Sequence, residues 1–498
     1  MNYGRICIAV CAQTADELVV QLRRAEPLAD IIEVRFDCLR PDQLTSALND
    51  IKECRISKPL IATYRSSRQG GNDPSLTLSE RREFWSHLDT SYAYADLEDD
   101  VNNAIPASRL IASHHEFHSV PTNISEVYER LSAASTSIIK IAATAHDICD
   151  SIPIWKLLER ARTDGREIIP IGMGDAGKWT RLLGLAHGAF LTYASLDTGK
   201  ETAGGQLTAD ELINVYRVKQ LDRDTKVYGI VGDPISSSLS PYMHNAAFAA
   251  CGVNAVFLPL QVKDLDAFML RMVLPAIREV ELNFAGFAVT MPHKQVIQEY
   301  LTSIDQVAAK IGAVNTVKID GDRITGYNTD ASGFIAPLKE RVPGLKDARV
   351  AVLGAGGAAR AVVYALKEEG ADVTIFARDP HTARALAEEF NITVQAFSTV
   401  RFERHTDIVI NTTPLGMRGP NEDKTPLISD QLSGVRFVYD LVTRRDDTPL
   451  ISEAKKAGIQ RISGVEMLIT QGVKQFEIWT GREAPADLMR KAVMDRLN

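Results

Sequence analysis

The stretch IIEVRFD, residues 31–37, alternates apolar and charged side chains along a single predicted β-strand. Successive side chains of a strand point to opposite faces, so the apolar residues share one face while Glu33, Arg35 and Asp37 share the other. In a closed barrel the outer face packs against helices, and the inner face points into the barrel or toward its mouth. The stretch therefore predicts a barrel strand that carries three charges inward.

Seven further strand-like runs occur before residue 220, with helical patterns between them: ICIAVCA, LIATYR, YADLE, RLIASHH, IIKIAA, EIIPIGM and FLTYASL. Eight strand–helix units within about 220 residues predict a (β/α)8 barrel in an α/β protein. On pattern alone, a doubly wound sheet is the alternative.

Lys140 lies within the apolar strand of SIIKIAATAH, residues 137–146. A buried ammonium without a partner is costly, so this group must be paired, neutralised or used in chemistry. The same alternation points Arg65, Asp96 and Glu98 inward. Ionisable groups at the ends of several strands predict an active site at the carboxyl rim, where barrel enzymes have theirs.

The run RLIASHHEFHS ends its strand with a cluster of polar residues, His114, His115, Glu116 and His118. These residues are largely consecutive rather than spaced along one face, which is not typical of a metal site. We therefore predict no metal.

Residues 5–215 resemble the type I 3-dehydroquinate dehydratases in EVRFD, TYRSSRQGG, SHHEF, IIKIA, GMGDAGKWTR and TAGGQ. The resemblance implies that Lys140 forms an imine with the substrate ketone, that His115 transfers the proton, and that Arg181 binds the carboxylate. It also implies a set of further substrate contacts: Glu33, Arg35, Arg65, Gln69, Met173, Tyr193, Thr202 and Gln206. The family usually has a glutamate at position 69. A neutral amide can orient His115 but cannot raise its basicity as a carboxylate would, which puts the rate in question.

The second half begins after KQLDRDTK, residues 219–226, a charged stretch that we interpret as a linker. The serines of DPISSSLSPYMHNAAF are equally typical of helix capping. Lys294 in GFAVTMPHKQVI follows a predicted strand, and GAVNTV and GYNTDASGF contribute Asn315 and Asp330. Taken singly, each of these segments would be an unremarkable turn.

RVAVLGAGGAARAVVYAL, residues 349–366, joins a buried-strand pattern to a helix through Gly354, Gly356 and Gly357. Glycines at this turn let the backbone approach a pyrophosphate at the helix N-terminus, so the run predicts a Rossmann dinucleotide site. In the next strand, DVTIFARDP, Arg378 stands where NAD-specific enzymes commonly carry an acid. Arginine there suits the 2′-phosphate of NADP, whereas the adjacent Asp379 points toward NAD.

This half, from about residue 226 onward, resembles the shikimate dehydrogenases. The resemblance implies that Lys294 and Asp330 form the catalytic pair. Substrate contacts would be Ser238, Ser240, Thr290, Asn315 and Gln471. Cofactor contacts would be Gly354, Ala355, Gly356, Gly357, Ala358, Arg378, Asn411, Thr412, Gly464 and Met467. The family typically has a tyrosine where this chain has Thr443, so one pocket contact is expected to be missing.

Bulk composition limits the remaining functions. A net charge of −8 argues against a nucleic-acid or anionic-membrane partner, and no apolar run approaches a membrane span. The first strand begins almost at once, so we expect no leader peptide and a cytoplasmic protein, although a trimmed organellar protein would look the same. The six cysteines contain no CxxC pair and are expected to be reduced thiols. Oligomeric state cannot be predicted.

The predicted domains are a barrel over residues 1–220, a substrate-binding lobe over 225–337 completed by helices in 466–498, and a Rossmann NADP-binding lobe over 338–465. The two resemblances imply consecutive steps of the shikimate pathway, since 3-dehydroshikimate, the dehydratase product, is the dehydrogenase substrate. Two alternatives are a class I aldolase-like barrel fused to an NAD(P) dehydrogenase, and a non-catalytic sensor of quinate-like metabolites and NADP.

Overall fold

The computed structural model describes residues 4–88, 91–98, 109–133, 136, 138–399 and 406–497. The chain divides into two compact units. One comprises Met1–Lys226 with Leu258–Asn283, and the other comprises Val227–Phe257 with Phe284–Asn498. Within the described ranges, every helix is too short or too polar to span a lipid bilayer.

The first unit is built on a curled sheet with eight main strands, all parallel and in chain order: β1 (Arg5–Val10), β2 (Ile31–Arg35), β3 (Leu60–Thr63), β4 (Tyr94–Glu98), β5 (Leu110–Glu116), β6 (Ile138–Thr144), β7 (Glu167–Met173) and β8 (Leu191–Ser195). A short β9 (Leu207–Thr208) pairs with β8. Strand β1 pairs with both β2 and β8, and Phe190 N donates to Ile168 O (2.9 Å), which joins the two ends of the curl. The predicted parallel barrel and its eight strands are confirmed.

Helices of this unit follow the strands along the chain: α1 (Ala15–Ala25), α2 (Leu44–Cys54), α3 (Leu78–Ser86), α4 (Ile124–Ala133), α5 (Ile152–Thr163) and α6 (Lys178–His187). Local sequence sets their ends. Helix α3 begins with a capping box between Thr77 and Glu80, and α6 ends at Gly188, whose φ of 102° is a left-handed conformation that glycine adopts freely.

Side chains inside the barrel lie in layers, as the alternation predicts. An apolar layer comes from alternate positions of the strands: Cys7, Ile31, Ile61, Ile111, Ile138, Ile169 and Leu191. Two residues further along, the same inward faces carry Glu33, Ser113 and Lys140, all buried. The apolar layer therefore closes the barrel below a buried polar layer at the carboxyl ends of the strands.

The expectation that all six cysteines are reduced thiols is wrong for two of them. Cys11 and Cys38 form a disulfide with their Cα atoms 5.4 Å apart, whereas Cys7, Cys54, Cys149 and Cys251 are free. The first residue of this pair follows β1 and the second follows β2, and these strands are neighbours. Adjacent strand ends bring the two side chains within bonding distance although the sequence shows no CxxC motif.

The first sheet of the second unit has the order β11-β10-β12-β14-β15-β13. Its strands are β10 (Lys226–Gly232), β11 (Ala255–Gln261), β12 (Phe284–Val289), β13 (Ser303–Ile304), β14 (Thr316–Asp320) and β15 (Arg323–Tyr327). Four helices lie in the same stretch of chain: α7 (Ser240–Ala250), α8 (Leu265–Phe268), α9 (Gln306–Ile311) and α10 (Asp330–Arg341). Of these, α8 belongs to the segment grouped with the barrel.

The second sheet is parallel throughout and has the order β18-β17-β16-β19-β20-β21, the doubly wound order of a Rossmann fold. Its strands are β16 (Arg349–Leu353), β17 (Asp372–Ala377), β18 (Thr393–Ala396), β19 (Ile408–Asn411), β20 (Phe437–Asp440) and β21 (Gln460–Ser463). The helices are α11 (Gly357–Glu368), α12 (Pro380–Phe390) and α13 (Pro449–Lys456). The predicted Rossmann lobe is confirmed.

The last two helices, α14 (Gly464–Thr480) and α15 (Ala486–Leu497), complete the core around the first sheet. Phe476, Trp479 and Met489 pack in the same buried cluster as Tyr228 and Phe248. In addition, Trp479 Nε1 donates to Val317 O in β14 (2.9 Å). This core is therefore assembled from segments far apart in the sequence.

Candidate active sites

The barrel residues predicted for the first site all line one cavity at the carboxyl ends of the strands. Glu33 lies on β2, His115 on β5, Lys140 on β6 and Tyr193 on β8. Parallel pairing in register, with Ser113 beside Lys140, sets these side chains at similar heights. The structure thus brings together residues that lie far apart in the sequence.

Lys140 is buried within hydrogen-bonding distance of two side chains. Its Nζ lies 2.8 Å from Asp96 Oδ2 and 3.0 Å from the Tyr193 hydroxyl, and 4.2 Å above the centre of the Tyr193 ring. Glu33 Oε1 is 3.6 Å away. The amine therefore has a carboxylate partner, and it also lines the cavity.

Asp96 is a site residue that sequence reasoning placed inside the barrel without giving it a role. Its Oδ2 also contacts Arg65 Nη2 at 2.8 Å. Burial would raise the pKa of Asp96, but the charges of Arg65 and Lys140 outweigh that effect and hold this pKa well below its usual range. Asp96 is therefore a permanent anion that neutralises part of the positive charge around Lys140.

His115 is held by the amide of Gln69. Gln69 Oε1 accepts from the His115 backbone N (2.7 Å) and lies 3.3 Å from Nδ1. Because the backbone N–H can only donate, the amide oxygen must face the histidine. Arg65 Nη1, which can also only donate, lies 3.4 Å from the same Nδ1, so Gln69 and Arg65 together orient the ring. Burial and the positive charges of Arg65 and Lys140 hold the pKa of His115 well below its usual value, so the ring is neutral.

Arg181 is a buried cation that has no carboxylate within ion-pairing distance among the described residues. Only 3% of the residue is exposed, its Nε lacks a hydrogen-bond partner, and Nη2 reaches Gly204 O at 3.5 Å. Burial accordingly lowers the pKa of Arg181 to about 10. Arg35, by contrast, is paired with Asp37 (Nη2 to Oδ2, 2.7 Å). An unpaired guanidinium in a cavity is suited to bind an anionic ligand.

The loop after β8 contributes two predicted substrate contacts, Thr202 and Gln206, to the lining of the cavity. Gln206 Oε1 accepts from Thr202 N (2.7 Å) and Oγ1 (3.2 Å). This pairing fixes the loop and leaves the amide nitrogen of Gln206 to meet a ligand.

The second predicted site, around Lys294 and Asp330, lies in the second unit, where the ends of several strands and helices meet. Lys294 Nζ contacts Asp330 Oδ2 at 2.5 Å, and Asn315 Nδ2 donates to the other carboxylate oxygen at 2.8 Å. Gln471 Oε1 from α14 accepts from Asn315 Nδ2 (3.5 Å). Asp330 is also the first residue of α10, where the helix dipole favours a negative charge. The carboxylate therefore lies between a lysine and an amide at the start of a helix.

The other predicted substrate contacts of this site lie at the starts and ends of neighbouring elements. Ser240 is the buried first residue of α7, and its backbone N lies 3.3 Å from Ser238 Oγ. Thr290 directly follows β12, and its backbone N donates to Val231 O of β10 (2.9 Å). Their hydroxyl groups remain predicted ligands.

The glycine-rich turn between β16 and α11 fits a dinucleotide. Gly354 has a φ of +107°, and a Cβ there would come within 2.7 Å of Thr412 Oγ1, so only glycine fits. At Gly356 a Cβ would meet nothing within 4 Å, which leaves open space beside the backbone for a phosphate group. A Cβ at Gly357 would lie 3.4 Å from the Lys294 side chain, so the turn also reaches this lysine.

Asp379 has a structural role that bears on the cofactor. Its side chain accepts from His381 N (2.9 Å) and caps α12, with Pro380 as the first helical residue. The dipeptide Asp-Pro before a helix is a capping signature that the sequence already contained. Arg378 is exposed at the end of β17, next to the glycine-rich turn.

The remaining predicted cofactor contacts differ in accessibility. Asn411 is fully buried and its Nδ2 donates to Asp440 Oδ1 (2.9 Å). This side chain therefore joins the ends of β19 and β20 within the core. Thr412 Oγ1 donates to Leu353 O (2.7 Å). Gly464 and Met467 lie in the first turn of α14. Their contacts with a cofactor remain predictions.

Family models match nearly the whole chain. A model described as type I 3-dehydroquinase matches residues 6–223, and one described as the shikimate dehydrogenase substrate binding domain matches residues 230–317. A model described as shikimate/quinate 5-dehydrogenase matches residues 337–462, and one for the shikimate 5′-dehydrogenase C-terminal domain matches residues 464–494.

Curated relatives and solved structures agree with these matches. The chain is 33% identical to the chloroplastic bifunctional 3-dehydroquinate dehydratase/shikimate dehydrogenase of Arabidopsis thaliana, over 98% of this chain and 84% of that protein. Shikimate dehydrogenase (NADP+) of Methanothermobacter thermautotrophicus is 42% identical over 55% of this chain and 98% of its own. A crystal structure described as shikimate dehydrogenase in complex with NADP+ is 36% identical, with a TM-score of 0.51 over 56% of this chain and 98% of that one. The match of residues 6–223 to type I 3-dehydroquinase favours a dehydratase over the alternative of an aldolase-like barrel. The chain belongs to the family of bifunctional 3-dehydroquinate dehydratases/shikimate dehydrogenases.

Proposed function

We propose that the barrel site dehydrates 3-dehydroquinate to 3-dehydroshikimate and that the second site reduces 3-dehydroshikimate to shikimate with NADPH. Both activities are those of the family to which the chain belongs. We assign the first to residues 1–220. The second would belong to a substrate-binding lobe, residues 225–337 with 466–498, and to an NADP-binding lobe, residues 338–465.

Lys140 is the proposed nucleophile of the dehydratase. Its amine would attack the substrate ketone and expel water to form an imine, whose positive charge draws electrons from the neighbouring carbon. The ammonium would lose its proton to solvent before attack, and Asp96 Oδ2, 2.8 Å from Nζ, would hold the amine in place and then face the cationic imine. This pairing explains why a lysine can lie buried in an apolar strand.

His115 is the proposed proton carrier. With Nδ1 directed at Gln69, its Nε2 can remove the proton from the carbon next to the imine. The same nitrogen would then protonate the hydroxyl that leaves the following carbon as water. Hydrolysis of the imine releases 3-dehydroshikimate and restores Lys140.

Arg181 is the proposed ligand of the substrate carboxylate. Its guanidinium is buried and has no ion partner in the part of the chain that the structure describes, and a carboxylate can accept two parallel hydrogen bonds from this planar group. Glu33, Arg35, Arg65, Met173, Tyr193, Thr202 and Gln206 complete the proposed contacts to the ring. The ring hydroxyls would bond to the charged members of this set.

In the dehydrogenase, Lys294 and Asp330 are the proposed acid–base pair. NADPH supplies the hydride when it is bound to the glycine-rich turn. Lys294 Nζ would donate the proton to the carbonyl oxygen, and Asp330, 2.5 Å away and oriented by Asn315, would hold the lysine in position. Ser238 and Ser240 would bind the carboxylate, and Thr290 and Gln471 the ring hydroxyls.

Arg378 is the proposed ligand of the NADP 2′-phosphate. The capping bond of Asp379 directs that carboxylate to its own helix, which removes the main argument for NAD at this position. A cytoplasmic location and small molecules as the only ligands are part of the same proposal.

One observation carries the dehydratase assignment: a buried lysine paired with Asp96 shares its cavity with an unpaired arginine. The decisive experiment supplies 3-dehydroquinate and NADPH to the purified protein and follows the formation of shikimate. Formation of 3-dehydroshikimate without shikimate would leave the second activity unsupported. Tight binding of both ligands without any turnover would favour the sensor alternative.

A further inference from the structure

A disulfide lies beside the dehydratase cavity. Cys11 directly follows β1, and Cys38 ends the short 3-10 helix Phe36–Cys38 that follows β2. Both cysteines are partly exposed, so a dissolved thiol or disulfide can reach them. The bond joins two neighbouring strand ends at the rim where substrate is proposed to enter.

Asp37 connects this disulfide to the cavity. It precedes Cys38 in the chain, and its carboxylate accepts from Arg35 Nε (2.9 Å) and Nη2 (2.7 Å). The backbone N of Arg65 donates to the same group (3.3 Å). Since Arg35 and Arg65 both line the cavity, the carboxylate of Asp37 positions two of its cationic residues.

Asn72 connects the same carboxylate to the sulfur atoms. Its backbone N donates to Asp37 Oδ2 (3.1 Å), and its Nδ2 lies 3.1 Å from Cys38 Sγ and 3.6 Å from Cys11 Sγ. Gly70 O, two residues earlier, accepts from Arg35 Nη2 (3.3 Å). The loop that carries Gln69 is therefore held by Asp37 on one side and by the disulfide on the other.

We propose that Cys11 and Cys38 are a redox-modification site, at which reduction of the disulfide weakens substrate binding by the dehydratase. The proposal rests on the proposed function of the barrel. A dithiol would pass two electrons and two protons to the sulfur–sulfur bond, giving two protein thiols and the cyclic disulfide of the reagent. Glutathione disulfide would reverse the step and leave two molecules of glutathione.

Reduction is expected to act on binding more than on chemistry. Lys140 and His115 lie on β6 and β5, which the disulfide does not join, and the disulfide reaches His115 only through Asn72 and the loop that carries Gln69. Arg35, in contrast, is the last residue of β2 and lies three residues before Cys38. Freed from the cross-link, the helix that carries Asp37 can move away from Asn72, and Arg35 loses its fixed position. The KM for 3-dehydroquinate should rise by roughly 3- to 10-fold while kcat changes less.

The test compares the full-length protein before and after reduction by dithiothreitol. Thiol titration of the unfolded protein should give four thiols in the oxidised form and six in the reduced form. The dehydratase KM should rise with the thiol count and return after treatment with glutathione disulfide. Shikimate oxidation, measured on the same samples, should not change, because both cysteines belong to the barrel unit. Activity of the oxidised form establishes the dehydratase itself, separately from this proposal.

A double variant, Cys11→Ser with Cys38→Ser, should have the KM of the reduced parent and no response to dithiothreitol. Loss of the cross-link should also lower the Tm of the barrel by roughly 5–10 °C. Cys251→Ser, which removes a partly exposed free thiol of the other unit, is the matched control and should respond as the parent does. Six thiols after oxidation, or equal KM values for the oxidised and reduced parent, would overturn the proposal.

Discussion

Replacing Arg181 by methionine should have opposite effects on stability and activity. Its guanidinium is buried, lacks an ion partner among the described residues, and has its pKa lowered from its ordinary value to about 10 by burial. The folded state therefore holds this proton less tightly than the unfolded state, and the charged form is penalised at every pH below about 10. A shift of this size corresponds to ~3 kcal/mol of destabilisation at neutral pH.

Arg181→Met removes that cost, so the free energy of unfolding of the barrel should rise by about 1–3 kcal/mol, seen as a Tm higher by several degrees. The substrate carboxylate would lose its partner, which typically costs about 2–5 kcal/mol, or roughly 30- to 4,000-fold in kcat/KM. The measurements are thermal unfolding and the appearance of the conjugated enone of 3-dehydroshikimate. Shikimate oxidation in the same sample reports whether the other unit is intact.

Arg181→Lys is the matched variant, since it keeps the charge and loses the planar pair of donors. It should lose less kcat/KM than the methionine variant and should not gain its stability. A methionine variant that keeps the parent kcat/KM, or one that unfolds at a lower temperature, would refute the assignment of Arg181 as an unpaired anion-binding residue.

Four further outcomes are expected. Borohydride added with 3-dehydroquinate should attach the ligand covalently at Lys140, and Lys140→Ala should abolish dehydration while shikimate oxidation continues; a label mapped to another residue would contradict the imine mechanism. Lys294→Ala should lower the dehydrogenase kcat by roughly 10²–10⁴-fold with a smaller effect on KM, and a large rise in KM at constant kcat would make it a binding residue instead. Arg378→Ala should lower kcat/KM for NADP by roughly 10- to 150-fold and leave NAD nearly unchanged, so equal losses for both cofactors would speak against 2′-phosphate recognition. Burial lowers the pKa of His244 to about 3 in the folded protein. Between pH 6.5 and 3 the unfolded state therefore binds one more proton, and the free energy of unfolding falls on acidification by ~1.4 kcal/mol per pH unit. His244→Phe should reduce the fall in Tm between pH 7 and 5, and an unchanged dependence of Tm on pH would exclude this histidine as its source.

The barrel and the identity of its inward residues could be predicted because they depend on a local pattern. Period-two alternation places Glu33 and Lys140 on the inner face whatever the rest of the chain does. The ion pair between Lys140 and Asp96 could not be predicted, since β4 and β6 are separated by β5 and their relative height depends on the register of each with β5.

Two other features could have been inferred from the sequence but were not. The Cys11–Cys38 pair has no motif. Cys11 lies near the end of the first predicted strand, however, and Cys38 directly follows the second, so the barrel prediction already contained the information to join them. Asp379 was interpreted only as a residue that favours NAD, although an aspartate before a proline at a helix start is a capping signal. The same carboxylate can therefore either cap α12 or contact the cofactor, and the sequence analysis considered only the second role.

The core around the first sheet of the second unit has a consequence for synthesis. Residues 227–257 supply one part of this core, and α14 and α15 supply another that emerges from the ribosome more than 200 residues later. Until then Phe248 and Tyr228 lack their partners Phe476 and Trp479. All strands of the barrel sheet, in contrast, have been made by residue 208. Domains generally fold in the order of synthesis. Dehydratase activity should therefore appear on nascent chains well before dehydrogenase activity, and the exposed apolar surface of the unfinished lobe is where a chaperone would bind during translation.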